Sequence, residues 1–230
     1  MEALCAMNNP FSDTLESMKL SNEKVGISTQ RNVDPNWKFY HVVQRAFRRY
    51  HIFNGSTAWY YHSLTESKCS KYGVLIICQM IMSNHIHEIL YAEDLKDISR
   101  LKAMAGSRTY AFMDKSRLAN NKKSLEHLFD SRPGFVPIRN RVQLLVTLKY
   151  IWDNDLELRK VGEKASYSSF ENWKDGNAKD IGANEVASLY GLKLSELYEL
   201  LGREKKEVLV FAEQFKTKEY AEIDRKLFRK

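Results

Sequence analysis

From about residue 36 the chain breaks into short stretches with a regular spacing of apolar positions, whereas residues 1–34 are polar and weakly periodic. The first stretch therefore predicts a flexible N-terminal lead. NWKFYHVVQRAFRR (36–49) alternates aromatic and β-branched residues with polar ones, which predicts a strand. Asn54-Gly55-Ser56 is turn chemistry with Ser56 as a helix N-cap, and TAWYYHSLTESKCSK (57–71) carries helical spacing that Gly73 ends. VLIICQMIM (74–82) has few breaks in its apolar character, as expected of a strand covered on both faces. Ser83-Asn84 makes a tight break, and HIHEILYA (85–92) predicts the next strand of an antiparallel hairpin.

Residues 94–113 predict a helix starting near Asp94, with Leu95, Ile98, Leu101, Ala105 and Tyr110 as its apolar stripe. Residues 124–140 read as irregular, because Pro133, Gly134 and Pro137 forbid a long helix while leaving room for short strands. RVQLLVTLKYIWDNDLELRK (141–160) is the clearest helix, and ASYSSFENW (165–173) is a short packing segment. Residues 184–202 and 204–228 predict two or three further helices, and there is no internal repeat. The order β-α-β-β-α followed by a helix predicts an α+β sandwich: a central antiparallel sheet with helices on one face. The expected organisation is a lead over 1–34, one domain over 35–173, and a C-terminal helical extension over 174–230.

Composition narrows the class. A chain of 230 residues, 43% hydrophobic and 12% aromatic, can bury a sizeable core. No apolar run approaches the roughly 20 residues that a membrane span requires. The first 20 residues lack the basic-then-apolar layout of a secretory signal. Cys5, Cys69 and Cys78 are odd in number and lack zinc spacing, so a reduced, cytoplasmic setting is expected. The net charge is +7; of 36 Lys/Arg and 29 Asp/Glu, residues 174–230 hold 12 and 11, leaving 24 and 18 upstream. The basic surplus therefore lies upstream, which fits a polyanionic partner or plain basic solubility.

Candidate chemistry begins at SNHIHEIL. On a strand, residues two apart share a face, so His85 and His87 project side by side. Two such imidazoles can bind one divalent cation or act on a phosphate, or they can be satisfied histidines of a half-buried strand. On the long helix, Tyr150 and Asn154 are four apart and also share a face. Tyr150 offers a hydroxyl nucleophile and Asn154 an amide oxygen that can ligate a hard cation. Alone, Tyr150 is one of 12 tyrosines, and pattern does not select it.

Three segments carry a resemblance. MSNHIHEIL resembles the MPNHVHLLL signature of the HUH single-tyrosine transposases, YHVVQRAFRRYHIF resembles their opening strand YHVxxRxxxRxxIF, and KYIWDN resembles their later YIxxNP. The chain is thus similar to this family from about Trp37 to Trp173, and within it to the REP-associated tyrosine transposases. The resemblance implies a ferredoxin-like fold with the histidine pair on its central sheet. It implies His85, His87 and Asn154 as ligands of Mg²⁺ or Mn²⁺, and Tyr150 as the nucleophile. It also implies nicking and joining of single-stranded DNA beside a hairpin, through a 5′-phosphotyrosine and a free 3′-hydroxyl, without ATP. Departures are Ser83 and Asp155 where the family has proline, Arg159 where it has glycine, and Glu88 where it is apolar.

Arg45, Arg48, Arg49, Lys102, Arg108, Arg139 and Arg141 are candidate phosphate contacts, and Trp59, Tyr60, Tyr61 and Trp152 candidate base-stacking residues. Taken singly, such cations are more often solvated surface charges, and aromatics at these spacings more often core residues. The tail around Gly202 faintly resembles a helix-turn-helix, although its near-neutral charge argues against a basic reader. A homodimer is open, since the family includes dimers and monomers. Two rivals stand beside strand transfer: a non-catalytic binder of hairpin or repeat DNA, and a metal-dependent phosphodiesterase that uses water.

Overall fold

The structure, a computed structural model, describes residues 38–120, 124, 126–177 and 182–215. The chain divides into two units, Met1–Val33 and Asp34–Lys230, and every described residue belongs to the second. The lead expected over 1–34 lies outside the described residues.

The elements are β1 (Phe39–Arg45), α1 (Gly55–Tyr72), β2 (Val74–Ile81), β3 (His85–Ala92), α2 (Leu95–Ala119), β4 (Gly134–Ile138), α3 (Arg141–Lys160), β5 (Tyr167–Ser168) and α4 (Phe170–Trp173). Helices α5 (Ala183–Leu189), α6 (Leu194–Gly202) and α7 (Lys205–Glu213) follow. The five strands form one sheet in the order β4-β1-β3-β2-β5, with every neighbouring pair antiparallel. Pro137 sits in the edge strand β4, where the missing N–H is tolerated. The stretch expected to be irregular with room for short strands thus supplies a short edge strand.

Register assigns the two faces. Val42 and Gln79 both lie opposite Glu88, whereas Val43 and Met80 lie opposite His87. On the Glu88 face, Ile81 and Ile86 pack with Phe53, with Ala58 and Tyr61 of α1, and with Ala105 of α2. On the His87 face, Phe39, Met80, Ile89 and Tyr91 join Leu144, Leu148 and Ile151 of α3 in the larger core. The one-sided helical layer expected from sequence is α1 and α2. The other face is closed by α3 with α5–α7, because β2 and β3 present apolar side chains on both sides and need cover.

Local details differ from expectation. The N-cap of α1 is Asn54, not Ser56: Asn54 Oδ1 accepts from the Thr57 N–H at 3.0 Å, and Thr57 Oγ1 accepts from the Asn54 N–H at 2.8 Å. This reciprocal box needs a spacing of three, which Ser56 lacks. Helix α2 runs on to Ala119, and its buried stripe passes through Lys102, Ala105, Thr109 and Met113 rather than Tyr110. Of the two or three helices expected over 184–202 and 204–228, 184–202 supplies two, α5 and α6, parted at Gly191, which takes φ 69°, a left-handed value that glycine adopts without a Cβ clash.

Glu88 is a fully buried acid. It pairs with Lys102, which also donates to the Tyr61 hydroxyl. Gln79 Nε2 donates to the other Glu88 oxygen at 2.6 Å, and His62 contacts Gln79 Oε1 at 2.8 Å and the Tyr167 hydroxyl at 2.9 Å. Strand alternation thus turns β3 between two polar environments, with His87 toward α3 and Glu88 toward α1 and α2.

Candidate functional site

β3 is paired on both sides, by β1 and β2, so its register is strongly specified. His85 and His87 share the face toward α3, with ring centroids 4.9 Å apart. A third imidazole joins them. His41 on β1 lies opposite Ile89, which shares the His87 face, and its Nε2 is 3.1 Å from His87 Nδ1. The two rings are 5.4 Å apart and within 18° of parallel. Sequence reasoning missed His41. Its alternation with Phe39 and Val43 was visible, but the partner strand and register that bring it to His87 were not.

Tyr150 of α3 reaches this cluster. Its ring centroid is 5.7 Å from His87 and 6.0 Å from His41, edge-to-face with both. The ring is half-buried, and its hydroxyl makes no hydrogen bond among the described residues. Asn154 lies one turn further on. Its Nδ2 donates to the Tyr150 carbonyl at 2.9 Å, leaving Oδ1 without a hydrogen bond among the described residues. His85 Nδ1 is 2.6 Å from Asn84 Oδ1. Both strand histidines are therefore held through Nδ1, and neither Nε2 is engaged by a described residue.

Burial and neighbouring cations keep the imidazoles neutral. Burial lowers the pKa of His41 from 6.5 to about 4. Burial drives His87 well below its ordinary value, helped by His41, His85 and Arg45. His85 is lowered by burial and then by Arg45 and Arg49. At neutral pH the cluster therefore offers lone pairs rather than positive charge.

The cations divide. Arg45 lies opposite His85 in the ladder and is exposed. After it the chain turns sharply: Arg48 and Arg49 take φ 50° and 55°, uncommon for residues with a Cβ. Hydrogen bonds from the Arg48 N–H to Asp130 Oδ1 at 2.6 Å and from the Arg49 N–H to the Ala46 carbonyl at 2.9 Å hold this turn. Both side chains are exposed, and the Arg48 guanidinium lies 3.7 Å from Glu126. Arg139, just before α3, is exposed.

Three cations do not join this group. Lys102 is buried on the opposite side of the sheet and ion-paired with Glu88, so it is a core residue and not a phosphate contact. Arg141 is buried, with its guanidinium 5.7 Å from the Phe215 ring centroid. Arg108 is exposed, but on α2, which covers the face away from the histidines. Among the aromatics, Tyr61 and Trp152 are core residues and cannot stack on bases, whereas Trp59 is exposed and Tyr60 stacks on Phe112 at 4.2 Å.

The arrangement is an unengaged tyrosine hydroxyl beside neutral imidazoles, edged by exposed arginines. Among the described residues no group of three or more His, Cys, Asp or Glu side chains is placed to hold a metal ion. No helix among them is long and apolar enough to cross a membrane.

The model of a family described as "Transposase IS200 like" matches residues 37–154. No curated protein matches the chain. Among solved structures, the chain is similar to one from Deinococcus radiodurans R1, provisionally assigned as a transposase. The identity is 13%, over 50% of this chain and 88% of that one, with a TM-score of 0.38.

Proposed function

The chain belongs to the IS200-like transposase family, and from that premise we propose that it nicks and rejoins single-stranded DNA through a covalent bond to Tyr150. The observation that carries this reading is the Tyr150 ring against His87 and His41, with its hydroxyl left unengaged. In the proposed step the Tyr150 oxygen attacks a backbone phosphorus. The bond from phosphorus to the 3′ oxygen breaks, and that oxygen leaves as a free 3′-hydroxyl after taking up a proton. The phosphotyrosine at the 5′ end keeps the bond energy for rejoining, so no ATP is needed.

The donor set suits a hard or borderline divalent cation: two neutral imidazoles with unengaged Nε2 atoms and an amide oxygen on the facing helix. We assign His85, His87 and Asn154 to Mg²⁺ or Mn²⁺, which when bound polarises the phosphodiester and offsets charge in the transition state. The chain's own groups do the rest. The imidazoles stay neutral because burial disfavours their protonation, and the edge-to-face packing of Tyr150 aims its hydroxyl. Arg45 and Arg49 supply positive charge for the flanking phosphates. The proposed substrate is hairpin-bearing single-stranded DNA, as for the REP-associated branch, and the proposed setting is the cytoplasm. Cys69 and Cys78 are buried thiols outside any disulfide, which fits reducing conditions.

The test is to incubate the parent and Tyr150→Phe with Mn²⁺ and labelled single-stranded hairpins and look for an adduct that survives denaturant. The expected result is an adduct from the parent alone. Cleavage that persists in Tyr150→Phe would instead indicate attack by water. Binding without cleavage by either protein would indicate a DNA-binding module.

A further inference from the structure

We propose that His41 is a positioning residue that holds His87 in the tautomer whose Nε2 lone pair faces the site. This rests on the reading of His87 as a ligand, and it adds a role to a residue outside the ligand set. A neutral imidazole carries one proton, and the partner of one ring nitrogen decides which nitrogen bears it. At His85 the partner is plain: Nδ1 faces the Asn84 amide oxygen at 2.6 Å, an acceptor only, so the proton sits on Nδ1 and Nε2 keeps its lone pair.

At His87 the partner is another imidazole. His87 Nδ1 and His41 Nε2 lie 3.1 Å apart and share one proton between them. If His41 were the donor, His87 would carry its own proton on Nε2 and turn a donor toward the site. His85 and His87 would then present opposite chemistry from adjacent positions. If His87 Nδ1–H donates, both histidines present lone pairs, and His41 bears its own proton on Nδ1. His87 has no other hydrogen-bond partner among the described residues, so His41 alone sets its tautomer. Because His41 Nε2 is occupied in this way, His41 supports a ligand and is not a third one.

Tyr150 strengthens the arrangement. Its ring meets both His41 and His87 edge-to-face, so the two imidazoles cannot rotate apart without disturbing the tyrosine. One contact between β1 and β3 thus couples the presentation of His87 to the placement of Tyr150.

The decisive measurement is the tautomer itself, read from ¹⁵N–¹H correlations of imidazole-labelled, metal-free protein at pH 7.5. The expected result is His87 protonated on Nδ1 with Nε2 unprotonated, and His41 protonated on Nδ1. A His87 protonated on Nε2 would overturn the proposal whether or not the protein binds metal. Mn²⁺ affinity adds a second readout. His41→Phe keeps a ring but removes the acceptor and should weaken binding about 10- to 100-fold, the usual effect of losing such a support. His41→Gln restores an amide acceptor and should stay close to the parent. Equal affinity in the parent and a folded His41→Phe overturns the proposal while leaving strand transfer standing. A parent that neither binds Mn²⁺ nor forms an adduct sinks the ligand reading, and the tautomer result then judges His41 by itself. If His41→Phe fails to fold, the parent tautomer and the His41→Gln protein decide.

Discussion

Asp155 and Arg159 are joined by an ion pair one helical turn apart, with Arg159 Nη2 at 2.8 Å and Nε at 3.1 Å from the same oxygen, Asp155 Oδ2. These are two of the positions where the chain departs from the transposase motif around Tyr150, and each is the other's partner. A proline at 155 would clash with the carbonyl four residues earlier. With aspartate there, α3 continues to Lys160, and the pair spans its final turns. Asp155 is buried, whereas Arg159 is half-exposed and also lies 3.7 Å from Glu171.

The pair predicts non-additive mutational costs. Arg159→Leu should destabilise the protein by about 1 kcal/mol, because it strips the partner from a buried carboxylate while the lost guanidinium was open to solvent. Asp155→Ala with Arg159→Leu should cost less than the sum of the single changes, by roughly 1 kcal/mol. Urea unfolding of the four proteins measures the cycle, and simple additivity would show that the contact contributes nothing.

Lys102 predicts a larger effect with a different signature. Lys102→Met leaves Glu88 charged and buried without its cation, which costs on the order of 3–5 kcal/mol. Adding Glu88→Leu removes both charges and should recover most of that loss. A lysine that bound phosphate would behave oppositely, with unchanged stability and weaker, more salt-sensitive DNA binding. Urea midpoints and DNA affinity measured side by side separate the two.

That contrast shows where the sequence was legible. The strand period placed His85 and His87 on one face, and the helix period placed Tyr150 with Asn154, because both rules are local. The α+β class followed from the order of elements for the same reason. Lys102 and Arg141 read as surface cations because nothing local marks a buried one. Lys102 is inside only because β3 turns Glu88 toward α2, a fact of register. His41 was missed on the same ground, since its value lies in a contact 46 residues away in sequence. Pro133, Gly134 and Pro137 left room for short strands in sequence, but only the sheet order shows that β4 is an edge strand, where Pro137 is tolerated.

The arginines predict a directional DNA footprint. Arg45→Ala and Arg49→Ala should each weaken single-stranded DNA binding and lower the salt slope by roughly 0.7, the value for one phosphate contact on a single strand. Arg108→Ala, on the helical layer over the far face of the sheet, should leave both nearly unchanged. Titrations at several salt concentrations check this. Equal effects at Arg45 and Arg108 would mean that the DNA does not run beside the histidines.

The buried imidazoles predict loss of stability in acid. His41 has a folded pKa of about 4 against 6.5 unfolded. Between those values the unfolded chain holds the proton and the folded one does not, so falling pH favours unfolding. The stability is fully present above about 6.5 and lost as pH falls toward about 4, with up to about 3 kcal/mol involved for this one group. His87 shifts in the same direction, through burial and the neighbouring His41, His85 and Arg45. Urea midpoints at pH 7.5 and 5 should fall further in the parent than in His41→Phe. Parallel falls would mean that His41 is protonated alike in both states.

The C-terminal helices predict a role in aiming Tyr150. They pack with α3 in the core on the histidine side of the sheet: Tyr198 meets Trp152 edge-to-face at 4.7 Å, and the Tyr190 hydroxyl donates to the Arg141 carbonyl at 2.7 Å. Trp152 is two residues from Tyr150, so motion of this contact moves the nucleophile. Tyr190→Phe leaves a buried carbonyl short of a donor and should cost about 1 kcal/mol with little change in geometry. Tyr198→Ala opens a gap behind Trp152 and should slow adduct formation several-fold at saturating DNA, while DNA affinity holds, because the arginines lie elsewhere. Single-turnover adduct kinetics beside equilibrium DNA binding makes the distinction. A Tyr198→Ala protein that keeps the parent rate would show that α3 holds Tyr150 in place without the extension.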